Sequence, residues 1–175
     1  GYDKSNNPYF TMKLIEGETL GNIINELKSG NQDYQKKYPL GYLLDIFNLA
    51  SNAVAFAHSK GIIHLDLKPE NIQVGQYGEV LVLDWGLAKF IGNQDESPAN
   101  FDDEYIQSHH IDKSFIDHLS SVNYDHIDMT MDGSIKGSPG YMAPEQAAGE
   151  NSKRDKRTDI YALGALLYSI LTLKK

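Results

Sequence analysis

Apolar residues recur at helical spacing through Leu43, Phe47, Ala50, Val54 and Ala57 and stop at Gly61, and the stretch HLDLKPEN, residues 64–71, follows at once. Two short β-type runs come next, Ile72–Val74 and 80–83, separated by GQYGE, which is turn chemistry for a hairpin. Gly61 lies where a left-handed helix cap is expected. A long helix, a tight polar loop and a hairpin in direct succession predict an α+β chain, mainly helical. The polar loop enters the hairpin and DWG, residues 84–86, leaves it.

The flanking segments extend this reading. Residues 9–15, YFTMKLI, alternate and are bulky, which predicts a strand ending at Glu16 and Gly17. Thr19 is a candidate N-cap for a helix with Leu20, Ile23, Ile24 and Leu27 on one face and Gly30 as its stop. A polar linker is expected between that helix and the long one. The last element begins around Thr158 and is apolar on nearly every face, which predicts a helix buried all round, with Tyr161, Leu163, Leu166, Leu167 and Ile170 in the core.

Charge narrows the possible partners. The 175 residues carry a net charge of −8, yet residues 91–133 hold ten Asp or Glu against one Lys, so the rest of the chain is close to neutral. No basic stripe offers a nucleic-acid surface, and the acidic segment repels phosphate backbones. Within it Ile111, Phe115, Ile116, Leu119 and Val122 fit one amphipathic helix in a partly ordered insertion. His109, His110 and His118 have no defined ligand spacing and read as a solvated surface rather than a metal site. The absence of cysteine excludes a disulfide framework and thiolate metal sites and fits a cytoplasmic location. The apolar run 160–173 is shorter than the roughly 20 residues that span a bilayer. No signal peptide is visible, and membrane contact is expected only through an anchor elsewhere in a longer protein.

Transfer of a phosphoryl group to a hydroxyl needs a carboxylate near the attacking oxygen, a cation near the phosphoryl group and oxygen ligands for magnesium. HLDLKPEN contains all three kinds. It is followed in order by DWGLAK, beginning 18 residues after Asp66, then GSPGYMAPE, then RTDIYALG. These four motifs resemble the bacterial-type Ser/Thr protein kinases, from about Tyr9 to Leu173 with the acidic insertion unmatched. The Lys two residues after the aspartate differs from the tyrosine-kinase pattern.

The resemblance implies a partial kinase domain across residues 1–175. A hinge region at 1–18 would precede C-lobe helices and a catalytic loop at 19–83. An activation segment would span 84–145, with its acidic insertion at 91–133, and a buried C-lobe helix would fill 146–175. It implies ATP and Mg2+ as cofactors and a protein bearing Ser or Thr as substrate. Asp66 would orient the hydroxyl and accept its proton, Lys68 would neutralise charge on the transferred phosphoryl group, and Asn71 and Asp84 would bind magnesium. Ser138 would bridge Asp66 and Lys68, while Pro69 keeps the loop rigid. Met12 as gatekeeper, the backbone of Lys13 and Ile15, and Leu83 would surround the adenine. Glu145 would anchor the end of the activation segment, its usual arginine partner lying further along the family's chain. Asp159 would hold the catalytic-loop backbone, and His64 is expected to support the loop rather than act as a base.

Several positions depart from the family pattern. Leu65 replaces an arginine that in many kinases pairs with a phosphate on the activation segment. Trp85 replaces a phenylalanine, one large aromatic for another. Gln73 stands where an apolar floor residue is usual. The activation segment runs 61 positions from Asp84 to Glu145, with Thr130 and Ser134 as candidate phosphosites. The Gly-rich loop, the strand lysine, its helix glutamate and the final C-lobe helices have no counterpart here, so a C-lobe fragment with exposed apolar surface and possible self-association is expected. The intact set Asp66, Lys68, Asn71 and Asp84 favours an enzyme. The alternative is a pseudokinase or scaffold.

Overall fold

The computed structural model describes Lys4, residues 16–91 and residues 137–174. The strand expected at 9–15, with Met12, Lys13 and Ile15, lies outside these residues, as do the helix expected within 111–122, the three histidines near it, Thr130 and Ser134.

Short strand β1 (Glu18–Thr19) leads into α1 (Leu20–Lys28). Thr19 caps the helix by accepting from the Asn22 amide at 3.1 Å, so the polar residue at the boundary supplies an acceptor the helix lacks. Leu20, Ile23, Ile24 and Leu27 are buried, as their spacing requires. The region expected to be a polar linker instead forms a short helix, α2 (Gln32–Lys37). Asn31 caps it by accepting from the amides of Asp33 and Tyr34. Its position depends on Glu18, whose carboxylate accepts from Tyr34 and Tyr38 hydroxyls at 2.8 and 2.6 Å and from Lys37 at 3.1 Å. Burial pushes the Glu18 carboxyl up, but the hydrogen bonds from Tyr38, Tyr34 and Lys37 outweigh it and leave its pKa lowered.

Helix α3 (Leu40–Ser59) buries Leu43, Ile46, Ala50, Val54 and Ala57 along one face. By length and composition it could cross a membrane, yet that face packs here against β4 (Val80–Val82) and the last helix. Gly61 ends α3 with φ 73°, a left-handed conformation that a Cβ would strain. Strand β2 (Ile62–Ile63) follows and pairs antiparallel with β5 (Lys89–Phe90). The hairpin of β3 (Ile72–Val74) and β4 forms with Ile72 opposite Val82 and Val74 opposite Val80, and β1 adds to its other edge in the order β1-β3-β4.

After the short helix α4 (Pro144–Ala147) comes α5 (Lys156–Thr172), capped by Asp155, which accepts from the Arg157 amide at 2.8 Å. The expectation of burial on every side does not hold among the described residues. Ala162, Leu163, Leu166 and Ile170 enter the core, whereas Ile160, Tyr161, Tyr168 and Leu171 are 50–57% exposed. Tyr161 is therefore not core. Apolar composition alone does not say which faces find a neighbour; here α5 meets α3 along one stripe.

The core joins α1, α3, α5 and β3, and it also takes Leu67 from the middle of HLDLKPEN. Leu65 and Leu67 are both buried, while Asp66 and Lys68 between and after them are less so. This alternation anchors the loop through its leucines and directs its polar groups to one side. Leu67→Ala is expected to lower stability by about 2–5 kcal/mol. Chemical denaturation would check this, and a loss below about 0.5 kcal/mol, the range of ordinary surface substitutions, would contradict the anchoring.

Candidate active site

The loop is held from beneath by one carboxylate. Asp159, in the first turn of α5 and 1% exposed, accepts from the His64 amide at 2.8 Å, the Leu65 amide at 2.9 Å and His58 Nε2 at 2.7 Å. A buried carboxylate without such donors would be strongly unfavourable, so the three donors stabilise the helix start and the loop together. Its place in the first turn also puts negative charge at the favourable end of α5.

His64 is fully buried and makes two ring hydrogen bonds, Nε2 with the Leu83 carbonyl at 3.0 Å and Nδ1 with the Asp66 amide at 3.2 Å. Since an amide can only donate, Nδ1 accepts and Nε2 carries the proton, which defines a neutral ring. Burial pushes its pKa below the usual imidazole value, against the pull of Asp159. The ring also packs against Trp85, 4.5 Å between centroids, and Trp85 Nε1 donates to the Val82 carbonyl at 3.0 Å.

Above this support the polar side chains converge. Asp66 Oδ1 accepts from Ser138 Oγ at 3.0 Å, and Oδ2 accepts from Lys68 Nζ at 2.8 Å and from Asn71 Nδ2 at 3.3 Å. Lys68 Nζ also donates to Ser138 Oγ at 2.9 Å, closing a ring of three residues from two distant segments. Asn71 Nδ2 donates to the Asp66 carbonyl at 2.9 Å, which leaves Oδ1 as the acceptor of that side chain.

Asp84 is positioned through its neighbours. The Leu83 amide donates to the Asn71 carbonyl at 2.8 Å while the Leu83 carbonyl accepts from His64, so the residue before Asp84 is held through both of its backbone polar groups. Asp84 then turns into the left-handed region, φ 60°. Gly86 makes room for its carboxylate, since a Cβ there would lie 3.3 Å from Asp84 Oδ1. Among the described residues, no group of three or more His, Asp or Glu is gathered as a metal cluster.

The structure thus brings together Asp66, Lys68, Asn71 and Ser138, and places Leu83, bonded to the Asn71 carbonyl, and then Asp84 at the hairpin exit. Gln73 is buried, its Nε2 reaching the Glu16 carbonyl at 3.5 Å. Three supporting residues escaped the sequence reading. His58 contacts Asp159. Thr158 Oγ1 donates to Glu145 Oε1 at 2.6 Å, giving Glu145 a partner within this chain. Gln146, 2% exposed, donates from Nε2 to the Leu65 carbonyl at 2.8 Å.

The family model described as protein kinase domain matches residues 2–175. The chain belongs to the protein kinase family. The chain is 44% identical over 170 residues to the serine/threonine-protein kinase PknD of Protochlamydia amoebophila strain UWE25, covering 95% of the chain and 16% of that relative. Against the PknD of Chlamydia pneumoniae it is 37% identical over 175 residues, covering 98% of the chain and 17% of the relative. The chain therefore spans about a sixth of the length of these relatives.

In this kinase chain a neutral His64 has a stability consequence with a definite sign. Its folded pKa lies below the unfolded value of about 6.5. The contribution is therefore complete above about pH 6.5 and is lost as pH falls from there towards the folded pKa. Unfolding free energy is expected to decline with acidification by up to about 1.4 kcal/mol per pH unit from this group. An NMR titration of the His64 ring that midpoints above about 6.5 would contradict the assignment.

Proposed function

We propose that the chain carries the phosphoryl-transfer site of a protein Ser/Thr kinase, moving the γ-phosphoryl group of ATP to a Ser or Thr hydroxyl of a protein substrate. The observation that carries this reading is the Asp66 carboxylate held by Lys68 Nζ and Ser138 Oγ at 2.8 and 3.0 Å. Such contacts preorganise a base whose oxygen faces the incoming hydroxyl. As the substrate oxygen bonds to the γ-phosphorus, the bond to the bridging oxygen of ATP breaks and ADP leaves with that electron pair. Asp66 takes the hydroxyl proton. Lys68, an ammonium beside the reacting centre, offsets charge on the transferred group.

Asn71 Oδ1 and the Asp84 carboxylate are hard oxygen donors, which fits a magnesium ion held by few protein ligands with phosphate oxygens completing its shell. Magnesium, when bound, supplies charge neutralisation of the phosphates. We assign the adenine to the backbone of Lys13 and Ile15 with Met12 and Leu83 beside it, as the family resemblance suggests.

The test is phosphate incorporation from labelled ATP and magnesium by the full-length protein, beside Asp66→Asn and Asp84→Asn. Loss of a catalytic base typically costs about 10²–10⁴-fold, so Asp66→Asn is expected to fall at least that far, and Asp84→Asn is expected to lose transfer through loss of a magnesium ligand, both while remaining folded. Leu65 and the buried Gln73 favour a second reading, a scaffold that binds partners without transfer. Folded wild-type protein that transfers no phosphate to itself or to generic Ser/Thr substrates would support that reading instead.

A further inference from the structure

The peptide unit joining Leu65 to Asp66 is fixed at both ends. Its carbonyl accepts from Gln146 Nε2 at 2.8 Å, and its amide donates to His64 Nδ1 at 3.2 Å. Leu65 itself sits at φ 68°, a conformation that a branched, non-glycine residue adopts only when its surroundings hold it there. Rotation of this peptide plane would turn the Cα–Cβ bond of Asp66 and carry its carboxylate away from Ser138 and Lys68.

Gln146 is built to resist that rotation. It is 2% exposed, and its Oε1 accepts from the Ala143 amide at 3.2 Å, so the side-chain amide is oriented before it reaches Leu65. One amide group thus spans two segments: the residues that enter α4, and the loop carrying Asp66, 81 positions apart along the chain. The side chain at position 65 is apolar and buried, and offers no charge through which the activation segment could grip the loop.

We propose that Gln146 is a positioning residue for Asp66, acting through the 65–66 peptide plane, and that this hydrogen bond couples the end of the activation segment to the catalytic loop. The inference deepens the phosphoryl-transfer reading above and rests on it for its kinetic test. In the full-length protein, Gln146→Met keeps the length and packing of the side chain and removes the donor. Gln146→Glu keeps the shape and sets a carboxylate acceptor against the Leu65 carbonyl.

For Gln146→Met, kcat is expected to fall about tenfold or more while KM for ATP changes less than about threefold, the split that marks loss of an interaction realised in the transition state. Gln146→Glu should fall further. Hydrogen exchange at the Asp66 amide gives a readout independent of turnover, and it should quicken about tenfold or more in Gln146→Met with core amides of α3 unchanged. Unchanged exchange at Asp66 overturns the positioning role whatever the activity. An active wild type with Gln146→Met within about twofold of its kcat also overturns it. An inactive wild type whose Asp66 exchange still depends on Gln146 overturns the phosphoryl-transfer reading and leaves the structural coupling supported.

Discussion

The buried carboxylate of Asp159 holds the HLDLKPEN loop of this chain of the protein kinase family. It receives hydrogen bonds from His58, from the His64 amide and from the Leu65 amide, at 2.7–2.9 Å. Charge-assisted bonds of this kind are stronger than neutral ones, and a carboxylate this deep requires them. Because Asp159 belongs to α5, whose stripe of Ala162, Leu163, Leu166 and Ile170 packs into the core, the position of the loop is set by hydrophobic burial some distance from any chemistry.

From that anchor the geometry passes outward in short steps. His64 relays position to Leu83 and to the Asp66 amide; Leu83 in turn places Asp84. Leu67 fills the core while Asp66 and Lys68 emerge beside it. Ser138 and Gln146 then connect the same few residues to the stretch that leads into α4 and to α4 itself, one at the side chain of Asp66 and one at its preceding peptide. The Asp66 carboxylate is thus held through both its side chain and its preceding peptide by hydrogen bonds from separate segments.

Much of this was legible in the sequence where the signal is local. Helices α1 and α3 announced themselves by apolar periodicity, with Thr19 and Gly61 marking boundaries, and the hairpin by its turn residues. HLDLKPEN and GSPGYMAPE pointed to the polar residues that converge. Long-range partners were not legible. Helix α2 is short and polar, and its stability derives from Glu18, 16–20 positions earlier. His58 gains its role from an aspartate 101 positions away, and Gln146 from a carbonyl 81 positions away. The exposed face of α5 went unseen for a related reason, since composition records what a helix can bury and not which neighbour arrives.

The central claim is that Asp159 organises the loop, and hydrogen exchange at the His64 and Leu65 amides tests it most directly. Asp159→Asn keeps the shape but places an amide donor where two of the three donors now converge. Exchange is expected to be faster by on the order of a hundredfold at the His64 amide, which bonds Oδ2 and loses a buried acceptor worth about 1–3 kcal/mol, and to rise less at the Leu65 amide, which bonds Oδ1, with α1 and α3 amides little changed. Equal protection in the variant and the wild type would contradict it and place the origin of the loop geometry elsewhere.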